Sequence, residues 1–98
     1  MEQKNVLALL KSHRAYFLQK YPLETLALFG SFARGEATQS SDVDILYILR
    51  SGASMDFDMY LEFEAELKKL LGKEIDLVNA KKLNPLVKLH AQSEMVYV

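Results

Sequence analysis

Leu28-Phe29-Gly30-Ser31-Phe32-Ala33-Arg34-Gly35, followed closely by Ser41-Asp42-Val43-Asp44-Ile45, is the stretch whose reading decides the fold of this chain. The apolar run over residues 25–29 suits a buried strand, and Gly30 ends it. Residues 31–37 predict a short helix opened by Ser31, with Gly35 and Thr38-Gln39-Ser40-Ser41 making a polar return loop. Residues 43–49 predict a second strand. Asp42 and Asp44 are two apart, so a strand turns both carboxylates to one face, roughly 7 Å apart, while Val43, Ile45 and Tyr47 take the other.

Working outward, Val6, Leu9, Leu10, His13, Phe17 and Tyr21 recur at helical spacing and predict an amphipathic helix over residues 2–20, stopped by Pro22. On the C-terminal side, Arg50-Ser51-Gly52-Ala53-Ser54 is turn-rich. Tyr60, Phe63, Leu67, Leu70 and Leu71 then mark a second amphipathic helix, closed by Lys68, Lys69 and Gly72, with Asp58, Glu62 and Glu66 on its other face. A third strand is expected over 74–78, a short helix from 83 or 84 to 92, and an edge strand over 94–98. The alternation of strands and helices predicts an α/β (α+β) sandwich, a mixed β-sheet flanked by helices, whose strand order the pattern leaves open. Met55, Phe57 and Met59 are read as completing the core, with a partner-facing role as the alternative. The tyrosines are likewise assigned to packing, and His13 and His90 to packed or half-exposed positions.

At 98 residues the chain has room for one hydrophobic core, so residues 1–98 are expected to form a single domain. Half the residues are hydrophobic and 26% charged, the balance of a folded globular domain rather than a disordered segment. The chain has no cysteine and only two histidines, which removes disulfides and thiolate or zinc-type sites and leaves oxygen ligands for any metal. No signal-peptide pattern and no membrane-length apolar run is visible, so the default location is cytoplasmic, without a membrane. A net charge of −1 argues against nucleic acid as the direct partner.

The chemistry-bearing residues converge on phosphate and metal. Gly30-Ser31 falls where a strand hands over to a helix, a turn whose backbone N–H groups can face an anion, and glycine permits close approach. Asp42 and Asp44 on one face of an apolar strand repel each other and resist burial, a conflict that a divalent cation resolves. Oxygen-only ligands point to Mg²⁺, with Mn²⁺ as the alternative. Asp76 again interrupts an apolar strand, and if that strand neighbours the second, it joins the same site as a metal ligand or as a base for an attacking hydroxyl. Glu74 lies nearer the strand start and is read as solvated.

Phe29-Gly30-Ser31, Asp42-Val43-Asp44 and the later Asp76 resemble the pattern of the nucleotidyltransferase superfamily that includes DNA polymerase beta, and most closely its minimal members, the MNT-type antitoxins paired with HEPN-domain toxins. The resemblance extends from Gly30 through Glu36 and from Ser41 through Leu46, and covers nearly the whole chain. It implies a polymerase beta-like fold in which Gly30 and Ser31 hold the β- and γ-phosphates of ATP. It also implies that Asp42, Asp44 and Asp76 are the catalytic and metal-binding residues, around a pair of Mg²⁺ ions. Arg34 is a candidate nucleotide contact, with surface pairing as the alternative. Larger relatives carry a further acceptor-binding domain, whereas about twenty residues follow Asp76 here, so the acceptor is expected on another protein. The resemblance implies a HEPN-domain toxin in a hetero-oligomer, with AMP transferred to a toxin tyrosine. Two other readings are an antitoxin that acts by occlusion without turnover, and transfer to a small-molecule hydroxyl.

Overall fold

The computed structural model describes residues 3–38 and 40–98. The expected helical start at Glu2 and the loop position Gln39 lie outside the described residues. In chain order the elements are α1 (Gln3–Lys20), β1 (Leu23–Phe29), α2 (Gly30–Arg34), β2 (Val43–Leu49), α3 (Phe57–Leu71), β3 (Ile75–Asn79), a 3-10 turn (Ala80–Lys82), α4 (Pro85–Gln92) and β4 (Val96–Tyr97). The strands form one mixed sheet in the order β3-β2-β1-β4. Antiparallel pairing joins β1 to β2 and to β4, while β2 and β3 run parallel, with α3 as their crossover.

Local chemistry accounts for most boundaries. Pro22, which cannot donate a backbone hydrogen bond, comes two residues after the end of α1. The Asp56 side chain accepts from the Met59 N–H at 2.8 Å and caps α3, which ends at Gly72 in the left-handed conformation with φ +65°. Asn84 caps α4 through the Leu86 N–H, and Pro85 opens that helix. The short helix is tighter than residues 31–37 predicted, because Gly35 turns left-handed at φ +73° and ends it at Arg34. The terminal strand is shorter than 94–98, since only Ala27 and Leu28 offer it partners in the ladder.

The two faces of the sheet are covered differently. On one, Val43, Ile45, Tyr47, Ile75 and Leu77 pack beneath α1 and α3, together with Phe17, Tyr21 and Phe63. The Tyr21 and Phe63 rings lie 4.7 Å apart and the Phe17 and Phe63 rings 5.5 Å, so aromatic burial worth ~1.5–3 kcal/mol per side chain anchors this face. The other face carries a smaller cluster in which Ala27 and Leu46 meet Ala80 and Ala91, with Phe29, Val78 and Leu83 at its margin. Met55 and Met59 pack against the main core as expected. Phe57 does not; it is 71% exposed and stacks on Tyr60. His13 is also more exposed than its place on the α1 stripe suggested, because its ring turns back to the Leu9 carbonyl and Ser12 rather than inward. Tyr21 and Tyr47 are buried, whereas Tyr16 and Tyr97 are exposed. His90 stands in solvent near Glu94. Among the described residues no helix is long and apolar enough to cross a membrane.

Candidate nucleotidyl-transfer site

Strand alternation and register assemble the site. Because Val43, Ile45, Ile75 and Leu77 point into the main core, Asp44 and Asp76 project from the opposite face. The parallel register pairs Asp44 with Asp76, and the antiparallel register pairs Asp44 with Phe29, the residue just before Gly30. Adjacent strands lie about 5 Å apart, so the two carboxylates are cross-strand neighbours beside the turn. Asp42 is one residue short of β2 and exposed, so it acts on Asp44 from the strand entrance rather than from within the ladder.

Gly30 opens α2 with φ +71°, a conformation that L side chains rarely adopt, and a Cβ built there would lie 2.1 Å from Asp44 Oδ2. The residue is therefore fixed twice, by backbone conformation and by the carboxylate pressed against it. Ser31 follows in the first turn. Phe29 provides no side-chain cap, so the N–H groups of this turn are not taken by a capping side chain.

The electrostatics single out Asp44. Partial burial, then the negative charges of Asp76 and Asp42, then a hydrogen bond with Asp76 raise its pKa to about 6, while Arg34 pulls weakly the other way. Among the described residues no three His, Cys, Asp or Glu side chains meet as a ready metal cluster. The donor set still fits a hard divalent cation: the three groups are carboxylates, two are neighbours, and their repulsion is the conflict such a cation would relieve.

Arg34 lies close enough to influence Asp44, yet its guanidinium pairs with Glu94 at 3.0 Å and Glu36 at 3.1 Å. The Glu94 pair ties α2 to the segment after α4. Glu74 is exposed and pairs with Lys68, in keeping with a solvated role. Tyr60 was assigned only to packing, but its hydroxyl donates to the Leu77 carbonyl at 2.9 Å and fixes β3 next to Asp76. A cavity of about 440 Å³ lies farther along the same strands, beside Tyr47, Phe57, Tyr60 and Asn79. Its lining also includes Leu77, the residue after Asp76, but neither Asp44 nor Asp76 itself.

A Gly-Ser turn held against paired carboxylates on a mixed sheet defines a nucleotidyltransferase. The nucleotidyltransferase domain family matches residues 10–98, and the chain belongs to it. Among relatives, a candidate protein adenylyltransferase of Methanocaldococcus jannaschii is 38% identical over 91 residues, covering 92% of this chain and 91% of its own length. The protein adenylyltransferase MntA of Thermococcus cleftensis is 32% identical over 95 residues, covering 97% and 94%. Of solved structures, a candidate minimal nucleotidyltransferase superposes with TM-score 0.83 at 24% identity, covering 100% of this chain and 97% of that one. A toxin–antitoxin complex with AMP-PNP gives TM-score 0.69 at 20% identity, covering 99% and 72%. A complex of tri-AMPylated Shewanella oneidensis HEPN toxin with MNT antitoxin gives 0.59 at 18%, covering 97% and 66%. These structures share the fold.

Proposed function

We propose that this nucleotidyltransferase is an antitoxin that transfers AMP from ATP to a tyrosine hydroxyl of a HEPN-domain toxin, with Mg²⁺ as the metal. The observation that carries the reading is the Asp44–Asp76 pair across β2 and β3, with Gly30 pressed against Asp44. The relatives named as protein adenylyltransferases support a protein acceptor, and the HEPN toxin in a neighbouring complex supports its class.

In this reading the Gly30-Ser31 turn receives the phosphate chain, since its backbone can approach an anion without a side chain between them. Asp42, Asp44 and Asp76 would hold the Mg²⁺, which supplies Lewis-acid stabilisation of the charge that develops on the phosphoryl oxygens. Asp76 is the more exposed of the neighbouring pair, which supports giving it the removal of the tyrosine hydroxyl proton as that oxygen attacks the α-phosphorus. Pyrophosphate then leaves from the side held by the turn. Arg34, engaged with Glu94 and Glu36, orients α2 rather than gripping a phosphate. Incubation with ATP, Mg²⁺ and the HEPN partner is expected to add AMP to a partner tyrosine, read by intact-mass and peptide spectrometry. Asp44→Ala is expected to abolish the adduct. Toxin neutralisation by wild type and Asp44→Ala alike, with no adduct in either, would replace transfer by occlusion.

A further inference from the structure

We propose that the outward ridge of α4, Leu86 and Leu89, is the docking surface for the acceptor protein, whose contacting face is apolar with an acidic rim. This rests on the transfer reading above and adds where the acceptor binds. Leu86 is 77% exposed and Leu89 67%, although both belong to a helix that buries its inner side through Ala91 against Ala27 and Leu46. Residues at i and i+3 lie on one helix face, so the two leucines form a continuous apolar strip in solvent. Tyr97, 59% exposed and paired with Ala27, projects from the same side of the sheet. Exposed leucines scattered singly need no explanation; a strip of them beside a transfer site does.

Three observations select the occupant. An acceptor must approach the face that carries Asp44 and Asp76, because α1 and α3 seal the other one. The ridge is on that face, and Glu94, just beyond α4, is paired with Arg34 of α2, so ridge and site form one connected surface. The charge around the ridge is mostly positive: residues 77–93 contain Lys81, Lys82, Lys88 and His90 and no acid, and the adjoining Glu94 is already paired with Arg34 and close to His90. A partner with carboxylates around an apolar centre matches this pattern, while a two-fold pairing of this chain on itself would bring the lysines together. Nucleic acid would leave the leucines unmatched, since its outer surface is phosphate.

The experiment compares wild type, Leu86→Asp/Leu89→Asp and Asp44→Asn for binding of the HEPN partner by calorimetry, for AMP transfer, and for thermal stability. Both leucines are exposed, so the double variant is expected to melt with wild type, and Leu86→Gln/Leu89→Gln serves as a milder pair if it does not. The expected result is at least a tenfold loss of partner affinity, with transfer restored at high partner concentration, a KM effect. Asp44→Asn is expected to keep the complex and lose transfer. Lys82→Glu/Lys88→Glu is expected to slow association and flatten its salt dependence. Undiminished affinity in both leucine pairs would overturn the docking surface. A loss of self-association by the free chain, with partner affinity unchanged, would assign the ridge to a second copy and likewise overturn it. A wild-type complex that depends on the leucines but yields no adduct would uphold the surface and remove the transfer reading; no wild-type complex at all would overturn both.

Discussion

Two half-buried carboxylates, one on each side of the sheet, are treated by their surroundings in opposite ways. Glu66 on α3 accepts hydrogen bonds from the Tyr16 and Tyr21 hydroxyls and pairs with Lys20 at 3.4 Å. Burial pushes its pKa up, but these donors outweigh burial and hold it below the usual carboxylate range. Asp44 is also partly buried, with other carboxylates as neighbours, and its pKa rises to about 6. A carboxylate serving structure is surrounded by donors. In the transfer reading proposed above, Asp44 is left with a charge conflict that substrate and cation would resolve, a local cost in folding free energy typical of functional sites.

The sharpest way to break the comparison is Asp44→Asn. Transfer is expected to fall at least about a thousandfold, because a charge acting directly at the phosphoryl centre is worth several kcal/mol. Stability at neutral pH is expected to rise, since the raised pKa means that the ionised carboxylate is disfavoured in the folded state. With solvent screening at this half-exposed position the gain is about 1 kcal/mol, a Tm increase of ~4–8 °C by calorimetry. Loss of activity with loss of stability would place Asp44 in the structural class with Glu66.

Glu66→Ala is the converse and the smaller effect. It leaves the buried Tyr21 hydroxyl without its acceptor, so urea unfolding is expected to show a loss of ~1–3 kcal/mol with AMP transfer per folded molecule unchanged. The pH dependences also oppose one another. Glu66, with its depressed pKa, contributes stability that is present above the ordinary value of 4.5 and lost as pH falls through the folded value. Asp44 binds its proton more tightly when folded, so its contribution is greatest below the ordinary value of 3.8 and is lost as pH rises through about 6.

Much of the candidate site's geometry was legible because its determinants are local. The Gly30-Ser31 turn and the alternation of Asp44 and Asp76 with core residues need only a strand period to interpret, and the mixed sheet followed from the order of elements. What escaped depends on contacts distant in sequence. Arg34 pairs with Glu94 sixty positions away, and nothing near Arg34 signals it. Gly30 was expected to serve a phosphate, but its positive φ and the Asp44 side chain across the β1–β2 pair also favour glycine there. Phe57 stayed exposed although its apolar side chain suggested core, because Phe63, Leu67 and Leu71 already supply the buried side of α3. The α4 ridge could have been found: Leu86 and Leu89 are spaced for one face, in a stretch without acids.

The most direct measurement is a carbon NMR titration of the aspartate and glutamate carboxyls, with and without Mg²⁺. Asp44 is expected to titrate near pH 6 in the free protein, and Mg²⁺ to move its midpoint down by favouring the ionised form while Glu66 stays where it is. An Asp44 midpoint near 4 that ignores Mg²⁺ would contradict the account, for the carboxylate beside Gly30 would then carry no conflict for a cation to resolve.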